Sequence, residues 1–217
     1  LTDTDARKNL LDSLRYAADP GSREVSLVFN GRVILGTRAR KERTKSYDAF
    51  SCVDYPDIAV IRDGNLIRYL EVPSYGPDDR PTFFRHLEPN ILLLTLIPGM
   101  HGRILDQVMD DYAAVIFQSF GVGGLPGGGS GEFAQAIGRW IRAGKTVLMM
   151  TQVPYEGSDM EVYQVGQQVK EHYQVLEAYN MTMEAAVTKL MWILGQTHSP
   201  EEIRKLFYYP VQHDLIR

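Results

Sequence analysis

The sequence predicts an α/β protein in two parts, and three observations lead to that prediction. Two β-rich runs turn back at Asn30-Gly31 and at Asp63-Gly64, dipeptides that are typical of tight hairpins. A polar, proline-containing stretch over residues 71–89 then interrupts the pattern. After it, continuous apolar runs alternate with helical patterns, as in a parallel sheet that is covered by helices.

The first part should contain one helix and two hairpins. Thr4 and Asp5 are good N-cap residues, and the helix should end at Asp19-Pro20-Gly21. Its apolar stripe consists of Leu10, Leu11, Leu14 and Ala18. The hairpins cover residues 26–36 and 58–70, and a basic loop over residues 37–45 follows the first of them.

The second part should contain three strands buried on both faces and four helices. The apolar runs that predict the strands are Ile91–Ile97, Ala113–Gln118 and Thr146–Thr151. Helices are expected near residues 103–109 and 132–143. Thr182 should cap a third helix, with an apolar stripe from Ala186 to Leu194. Ser199-Pro200-Glu201-Glu202 has the pattern of a capping box at the start of a fourth.

Composition excludes few function classes but argues against some. The chain of 217 residues has a net charge of −4, which gives no electrostatic reason to expect nucleic acid or an anionic membrane. Its longest apolar run is too short to span a bilayer. The single cysteine, Cys52, excludes an internal disulfide and favours a reducing compartment. The chain begins with Leu1 and leads almost directly into a helix cap, so we expect an earlier segment to be missing.

Two loops are candidate sites, and each also has a structural explanation. The glycine-rich loop over residues 121–131 lies between a strand and a helix, where phosphate loops occur. However, Pro126 stands where a dinucleotide motif needs glycine, so a plain connection is favoured. The basic loop is typical of a solvated surface, unless one of its lysines points into a site. The polar turn Glu156–Asp159 follows a strand and suits either a ligand contact or an ordinary turn.

Cysteine and histidine give no strong indication of chemistry. Cys52 has no neighbouring histidine in the sequence to activate it, so we expect a small buried side chain and not a nucleophile. The histidines show no metal-ligand spacing. They are His86, His101, His172, His198 and His213. The residues taken alone therefore predict a site on loops at strand ends, without a reaction.

Eight segments, in order along the whole chain, resemble the bacterial-type L-asparaginases, especially their cytosolic branch. The helix start Thr4–Leu10 is similar to the family's [ST]-D-[AG]-x-x-N-L motif, and Asp48-Ala49-Phe50 to its D-A-F segment. The other matching segments are Val28–Gly31 with the loop to Lys41, Arg62–Gly64 with Arg68-Tyr69, Leu96–Met100, Ser119–Pro126, Thr151–Val153 and Met181–Ala186.

The resemblance implies both the domain organisation and the reaction. Residues 1–72 would be the end of an N-terminal catalytic domain, 73–89 a linker, and 90–217 a smaller three-layer α/β domain with a parallel sheet. The family hydrolyses L-asparagine to L-aspartate and ammonia through a threonine nucleophile, without metal or cofactor. Its nucleophile segment would precede Leu1, so the chain alone should be inactive. A cytoplasmic homodimer or homotetramer is implied.

The resemblance also implies two site residues. Alignment through the first hairpin assigns the family's catalytic lysine to Lys41. The family also takes substrate contacts from a neighbouring subunit. One of these is an asparagine just after G-V-G, and its position is occupied here by Gly124. A carboxylate from residues 156–161 is a further candidate contact that position alone does not assign.

Two alternatives remain open at this point. An asparaginase-like subunit of a tRNA-dependent amidotransferase would share these motifs and deliver ammonia to a partner enzyme. A ligand-binding α/β module without catalysis would also account for the glycine-rich loop. Binding of glutamine, asparagine and a nucleotide, compared on one sample, separates the three.

Overall fold

The protein forms two compact units in the computed structural model, which describes residues 4–71, 76, 78, 80–127, 131–162, 167, 170 and 173–216. One unit comprises Leu1–Phe83 with Gln212–Asp214, and the other comprises Phe84–Val211 with Leu215–Arg217. The chain passes from one to the other inside the segment predicted to be a linker. None of the helices in the described part of the chain has the length and apolar character needed to cross a membrane.

The first unit consists of a helix, a four-stranded antiparallel sheet and a separate hairpin. Its elements are α1 (Ala6–Ala18), β1 (Ser26–Phe29), β2 (Arg32–Leu35), β3 (Ala39–Lys41), β4 (Phe50–Cys52), β5 (Ala59–Arg62) and β6 (Asn65–Arg68). The sheet order is β1-β2-β5-β6, while β3 and β4 form a separate two-stranded sheet. Both predicted hairpins are confirmed, since Phe29 pairs with Arg32 and Arg62 with Asn65 around the two-residue turns. The basic loop is not a plain loop, because β3 begins within it.

Helix α1 turns a different face to the sheet than its apolar stripe predicts. Leu10, Leu11 and Leu14 are about half to two-thirds exposed, whereas Asp12 and Tyr16 are buried. The buried Asp12 carboxylate is satisfied by Lys8 at 2.7 Å and Arg15 at 3.0 Å. The apolar stripe is therefore the exposed face in the described structure, and its two ion pairs allow Asp12 to be buried.

Residues from the far end of the chain complete the first unit. The Thr37 hydroxyl donates to the carbonyl of Gln212 at 2.6 Å, and Arg38 Nε donates to the carbonyl of His213 at 2.5 Å. The His213 ring also stacks on Tyr55, with centroids 5.0 Å apart. The base of the β3–β4 hairpin is thus fixed by a segment that lies within the predicted second domain.

The second unit is a three-layer α/β fold with a parallel sheet in the order β10-β9-β8-β7. Its elements are β7 (Ile91–Thr95), α2 (Arg103–Val108), β8 (Ala114–Ser119), α3 (Glu132–Arg142), β9 (Thr146–Thr151), β10 (Leu176–Glu177), α4 (Met183–Leu194) and α5 (Pro200–Tyr208). One core contains Trp140 and Phe133 of α3 with Phe117 of β8. The other contains Leu190 of α4 and Phe207 of α5 with Ile116 of β8. The predicted fold class is confirmed.

Of three local predictions for this unit, the structure confirms one and differs from two. The Thr182 cap is confirmed, since its hydroxyl accepts the Ala185 N–H at 3.1 Å. The capping box at Ser199 is not formed, since its side chain makes no cap hydrogen bond. Instead the Thr197 hydroxyl accepts the Ser199 N–H at 3.1 Å and donates to the Glu202 carboxylate at 2.5 Å. The prediction that β7 is buried on both faces is wrong. It forms one edge of the sheet, and Leu93 is 37% exposed.

The two hairpin turns offer a matched test of the first unit. Gly31 has φ +72° and its backbone lies against strand β5, so a Cβ there would stand 2.9 Å from the carbonyl oxygen of Ile61. Gly64 has φ +79°, but a Cβ there would first meet the flexible Arg15 side chain at 3.3 Å. We predict that Gly31→Ala costs about 2–3 kcal/mol and Gly64→Ala about 1–2 kcal/mol. Hydrogen exchange of the β2 and β5 amides measures both, and equal losses would contradict the close-approach argument.

Candidate functional site

Lys41 is the last residue of strand β3, in the separate two-stranded sheet that β3 forms with β4. Its backbone pairs with that of Phe50 on β4. Its side chain is exposed, with the ammonium 5.7 Å from the centroid of the Phe50 ring. Phe50 in turn packs on Phe29, with centroids 5.0 Å apart. The hairpin therefore carries Lys41 on an aromatic support that continues into β1.

Ion pairs stiffen the same hairpin without using Lys41. Arg32 makes two hydrogen bonds of 2.8 Å to Asp57 and donates to the carbonyl of Phe50 at 3.1 Å. The bonds to Asp57 raise the pKa of Arg32, since they outweigh burial, which opposes its charge. Arg43 donates to the carbonyl and carboxylate of Asp48. In the part of the chain that the structure describes, Lys41 forms no ion pair, so its ammonium remains available to another group.

Gly124 lies in the second unit, on the loop that follows β8. Its backbone exchanges hydrogen bonds with Phe120, N–H to carbonyl at 2.8 Å and carbonyl to N–H at 3.1 Å. A Cβ at Gly124 would stand 3.3 Å from the Cβ of Phe120, so even a small side chain would require Phe120 to shift. The loop therefore presents backbone, not a side chain, at this position.

A second loop at the same edge of the sheet lines an open cleft of about 460 Å³. The cleft is lined by Glu156, Ser158, Asp159, Glu161, Tyr179 and Asn180. Its wall is joined to the Gly124 loop, because the Asp159 N–H donates to the carbonyl of Val122 at 2.8 Å. It is also joined to the segment after β10, because the Ser158 N–H donates to the carbonyl of Tyr179 at 2.9 Å. Parallel strands place both loops at one edge, as expected for ligand sites in such sheets.

The cleft combines carboxylates with one buried hydroxyl. Ser158 is 6% exposed, and its Oγ has no hydrogen-bond partner among the described residues. Asp159 uses one oxygen to accept the N–H of Glu161 at 3.0 Å. Lys170 donates to Glu161 at 2.9 Å, and this bond lowers the pKa of the Glu161 carboxyl. The Glu161 carboxylate is therefore ionised near neutral pH, which suits a cationic group such as an ammonium.

The sequence predicts only some of the residues of this cleft. It identifies residues 156–159 as a polar turn after a strand, but it gives no indication of Lys170 or Glu177. Glu177 is fully buried at the end of β10. A glutamate directly after the apolar pair Val175-Leu176 is the one signal in the sequence that could indicate a buried, paired carboxylate.

The remaining candidates show no sign of chemistry. Burial raises the pKa of the Cys52 thiol to about 11, which keeps it protonated at neutral pH. Among the described residues no group of three His, Cys, Asp or Glu side chains could hold a metal ion. His172 and residues 128–130 of the glycine-rich loop lie outside the described residues. The expected absence of a cofactor thus stays a prediction.

Two family models match the chain, one for each part. Residues 2–74 match the model described as the N-terminal asparaginase domain, and residues 90–207 match the glutaminase/asparaginase C-terminal domain. The order of the two matches is the order of the two predicted parts. The residues outside both matches are Leu1, residues 75–89 in the linker region and residues 208–217.

Individual relatives agree with the family models. An L-asparaginase of Thermococcus kodakarensis is 35% identical over 204 residues, which are 94% of this chain and 60% of the relative. L-asparaginase 1 of Escherichia coli K12 is 30% identical over 93% of this chain and 59% of its own length. One component of the glutamyl-tRNA(Gln) amidotransferase of Pyrococcus abyssi is 29% identical over 94% of this chain and 47% of its own length. The chain thus spans about half to three-fifths of these relatives.

Solved structures show the same similarity in three dimensions. The thermostable L-asparaginase of Thermococcus kodakarensis superposes with a TM-score of 0.90 at 32% identity, covering 100% of this chain and 65% of that one. L-asparaginase I of Vibrio cholerae gives a TM-score of 0.86 at 25% identity, with coverages of 100% and 64%. Sequence and fold therefore point to one family.

The environment of Cys52 generates a test that excludes it as a nucleophile. Because its pKa is about 11 instead of the ordinary 9.0, its thiolate fraction at pH 7.5 should be roughly 100-fold lower than that of an ordinary thiol. We predict that iodoacetamide alkylates Cys52 correspondingly slowly in the folded chain and at the ordinary rate after unfolding. A model cysteine peptide is the control, and alkylation of the folded chain at the peptide's rate would contradict the prediction.

Proposed function

Because the chain belongs to the asparaginase family, we propose that the complete protein is an amidohydrolase that converts L-asparagine to L-aspartate and ammonia. The observation that carries the proposal is that one chain matches both the N-terminal and the C-terminal family model, in that order. The proposal needs no metal and no cofactor. The single cysteine suits a reducing compartment, so we place the protein in the cytoplasm.

The reaction is proposed to proceed through a threonine nucleophile and an acyl-enzyme. These 217 residues cover 60% of the Thermococcus relative, and we place the nucleophilic threonine and its aspartate partner in the part that is not covered. Residues 1–217 alone should then have no activity. The hydroxyl attacks the side-chain carbonyl carbon, ammonia leaves, and water then hydrolyses the ester to release aspartate.

Lys41 is the group in this chain to which we assign a catalytic role. An ammonium beside a hydroxyl and a carboxylate stabilises the negative charge that develops as the hydroxyl loses its proton. The hairpin supports this role, because Lys41 pairs with Phe50 across β3 and β4, and Arg32 of β2 bonds to the Phe50 carbonyl. Lys41 itself makes no ion pair in the described part of the chain that would compete with a catalytic contact.

The cleft of the second unit is proposed to complete the site of a neighbouring copy. Free asparagine carries an ammonium, and the cleft offers the carboxylates of Glu156, Asp159 and Glu161. We favour Glu161, because its side chain is 70% exposed and Lys170 keeps it ionised. The Gly124 loop, joined to the same wall, would contribute backbone. A site built this way requires a homodimer or homotetramer.

A second function has one supporting observation, the similarity to the Pyrococcus amidotransferase component at 29% identity. A protein of that kind would release ammonia from glutamine for a partner enzyme that acts on tRNA. The asparaginase assignment is favoured because the Thermococcus asparaginase is 35% identical and this chain covers 60% of it. The chain covers only 47% of the Pyrococcus amidotransferase component. Ammonia release from glutamine that depends on tRNA and a partner enzyme would favour the amidotransferase.

Substitution of Lys41 tests the proposed function. We predict that Lys41→Ala in the complete protein lowers kcat for asparagine by about 1,000-fold or more, since groups of one catalytic set act together. Arg43→Ala is the matched control, because Arg43 lies beside the same hairpin and its side chain bonds only to Asp48 in the described structure. Its turnover should stay within about threefold of wild type. Near-normal turnover by a folded Lys41→Ala protein rejects the assignment.

A further inference from the structure

The Glu177 carboxylate is completely buried, and three groups hold this residue in place. Its Oε1 accepts the backbone N–H of Met160 at 2.8 Å, and its Oε2 accepts from Lys170 at 2.8 Å. Its own backbone N–H donates to the hydroxyl of Tyr208 at 3.0 Å. Because a buried carboxylate must be paired and hydrogen-bonded, Glu177 fixes both the loop at Met160 and the ammonium of Lys170.

Lys170 connects this buried anchor to the rim of the cleft. Its side chain is 16% exposed, while the side chains of its two carboxylate partners are 0% exposed for Glu177 and 70% exposed for Glu161. The ammonium also lies 5.3 Å from the centroid of the Tyr179 ring. Burial alone would lower the pKa of Lys170, but its bonds to the two glutamates outweigh burial and raise it. Lys170 is therefore a fixed cation with one bond directed outward, to Glu161.

Glu161 would be a poorly oriented ligand without that bond. A solvent-exposed glutamate samples many rotamers, and ordering it on binding costs side-chain entropy. In the described structure the Glu161 carboxylate is bonded to Lys170. The other bond is made by the Glu161 backbone N–H, which donates to the Asp159 carboxylate. The orientation of its carboxylate thus depends on Lys170.

We propose that Lys170 is a positioning residue that holds the Glu161 carboxylate at the rim of the cleft, with buried Glu177 as its anchor. The proposal rests on the proposed function, in which Glu161 binds the ammonium of asparagine. Lys170 does not touch the substrate. It acts by ordering Glu161 before binding, and by keeping it ionised at mildly acidic pH.

The test must separate positioning from folding. Lys170→Met alone leaves a buried, unpaired carboxylate at Glu177 and is expected to destabilise the fold. The double variant Lys170→Met/Glu177→Gln removes both charges, and the glutamine carbonyl can still accept the Met160 N–H. Lys170→Arg keeps the cation and serves as the conservative variant. Each is made in the complete protein for kinetics and in the 217-residue chain for spectroscopy.

Two readouts are expected to change together in the double variant. In the complete protein, KM for asparagine should rise about tenfold with kcat within about threefold, because only orientation before binding is lost. The acid limb of kcat/KM should move to higher pH. Glu161 must be ionised to bind an ammonium, and without Lys170 its pKa returns upward to the ordinary carboxyl value. The KM of the Lys170→Arg variant should stay close to the wild-type value.

The second readout needs no catalysis. Carbon-13 NMR of glutamate carboxyls in the 217-residue chain, with Glu161→Gln to assign the signal, should show a lowered pKa for Glu161 that rises in the double variant. An unchanged Glu161 pKa overturns the proposal, and so does a changed pKa with unchanged KM. If the wild-type complete protein does not hydrolyse asparagine, the proposed function fails. The NMR comparison alone then decides whether Lys170 orients Glu161.

Discussion

The buried carboxylate of Glu177 is the constraint on which the arrangement of the cleft depends. Removing a carboxylate from water costs several kcal/mol unless a cation and hydrogen-bond donors replace the solvent. Here the carboxylate is held by the loop at Met160 and by Lys170, while Tyr208 of helix α5 meets the Glu177 backbone. Elements distant in the chain are thereby brought to one end of β10, and the cleft lies beside that junction.

The parallel sheet also determines where the loops of the cleft lie. Strands β8 and β9 pair along six residues, so the loops that follow them emerge side by side. The Thr151 hydroxyl donates to the carbonyl of Gly121 at 2.6 Å, and the Asp159 N–H donates to that of Val122. Met160 is fully buried, and it packs where a Cβ on Gly123 would stand 3.2 Å from it. The two loops are thus held together by hydrogen bonds and packing, and they form one side of the cleft. A binding surface for a defined ligand requires such fixed support.

Local signals in the sequence predict those elements whose cause is local. The Asn30-Gly31 and Asp63-Gly64 turns, the Thr182 cap and the apolar strands β8 and β9 are all predictable, since each depends on neighbouring residues. Prediction fails where a distant partner or the final packing decides. The Leu10 face of α1 is exposed in the described structure, while Asp12, paired with Lys8 and Arg15, faces inward. Strand β7 is an edge, which its apolar composition does not reveal.

The candidate site shows the same division. Lys41 is selected through family motifs, and the residues alone do not distinguish it from Lys45 on the same loop. The link between Glu161, Lys170 and Glu177 is not predictable, because Lys170 lies nine residues from one glutamate and seven from the other, and no local motif pairs them. The same holds for residues 212–214, whose carbonyls reach the β3–β4 hairpin from the far end of the chain.

The central claim is that one copy's Lys41 and a neighbouring copy's Glu161 serve the same active site. The most direct test of this claim uses two complete variant proteins, Lys41→Ala and Glu161→Gln, each inactive or impaired alone. The two are mixed, dissociated and reassembled, and the activity of the mixture is measured. With random pairing, half of the dimers are mixed and each holds one intact site of two, so about a quarter of wild-type activity should return at low asparagine concentration. Activity no greater than that of the two variants measured separately would contradict the shared site.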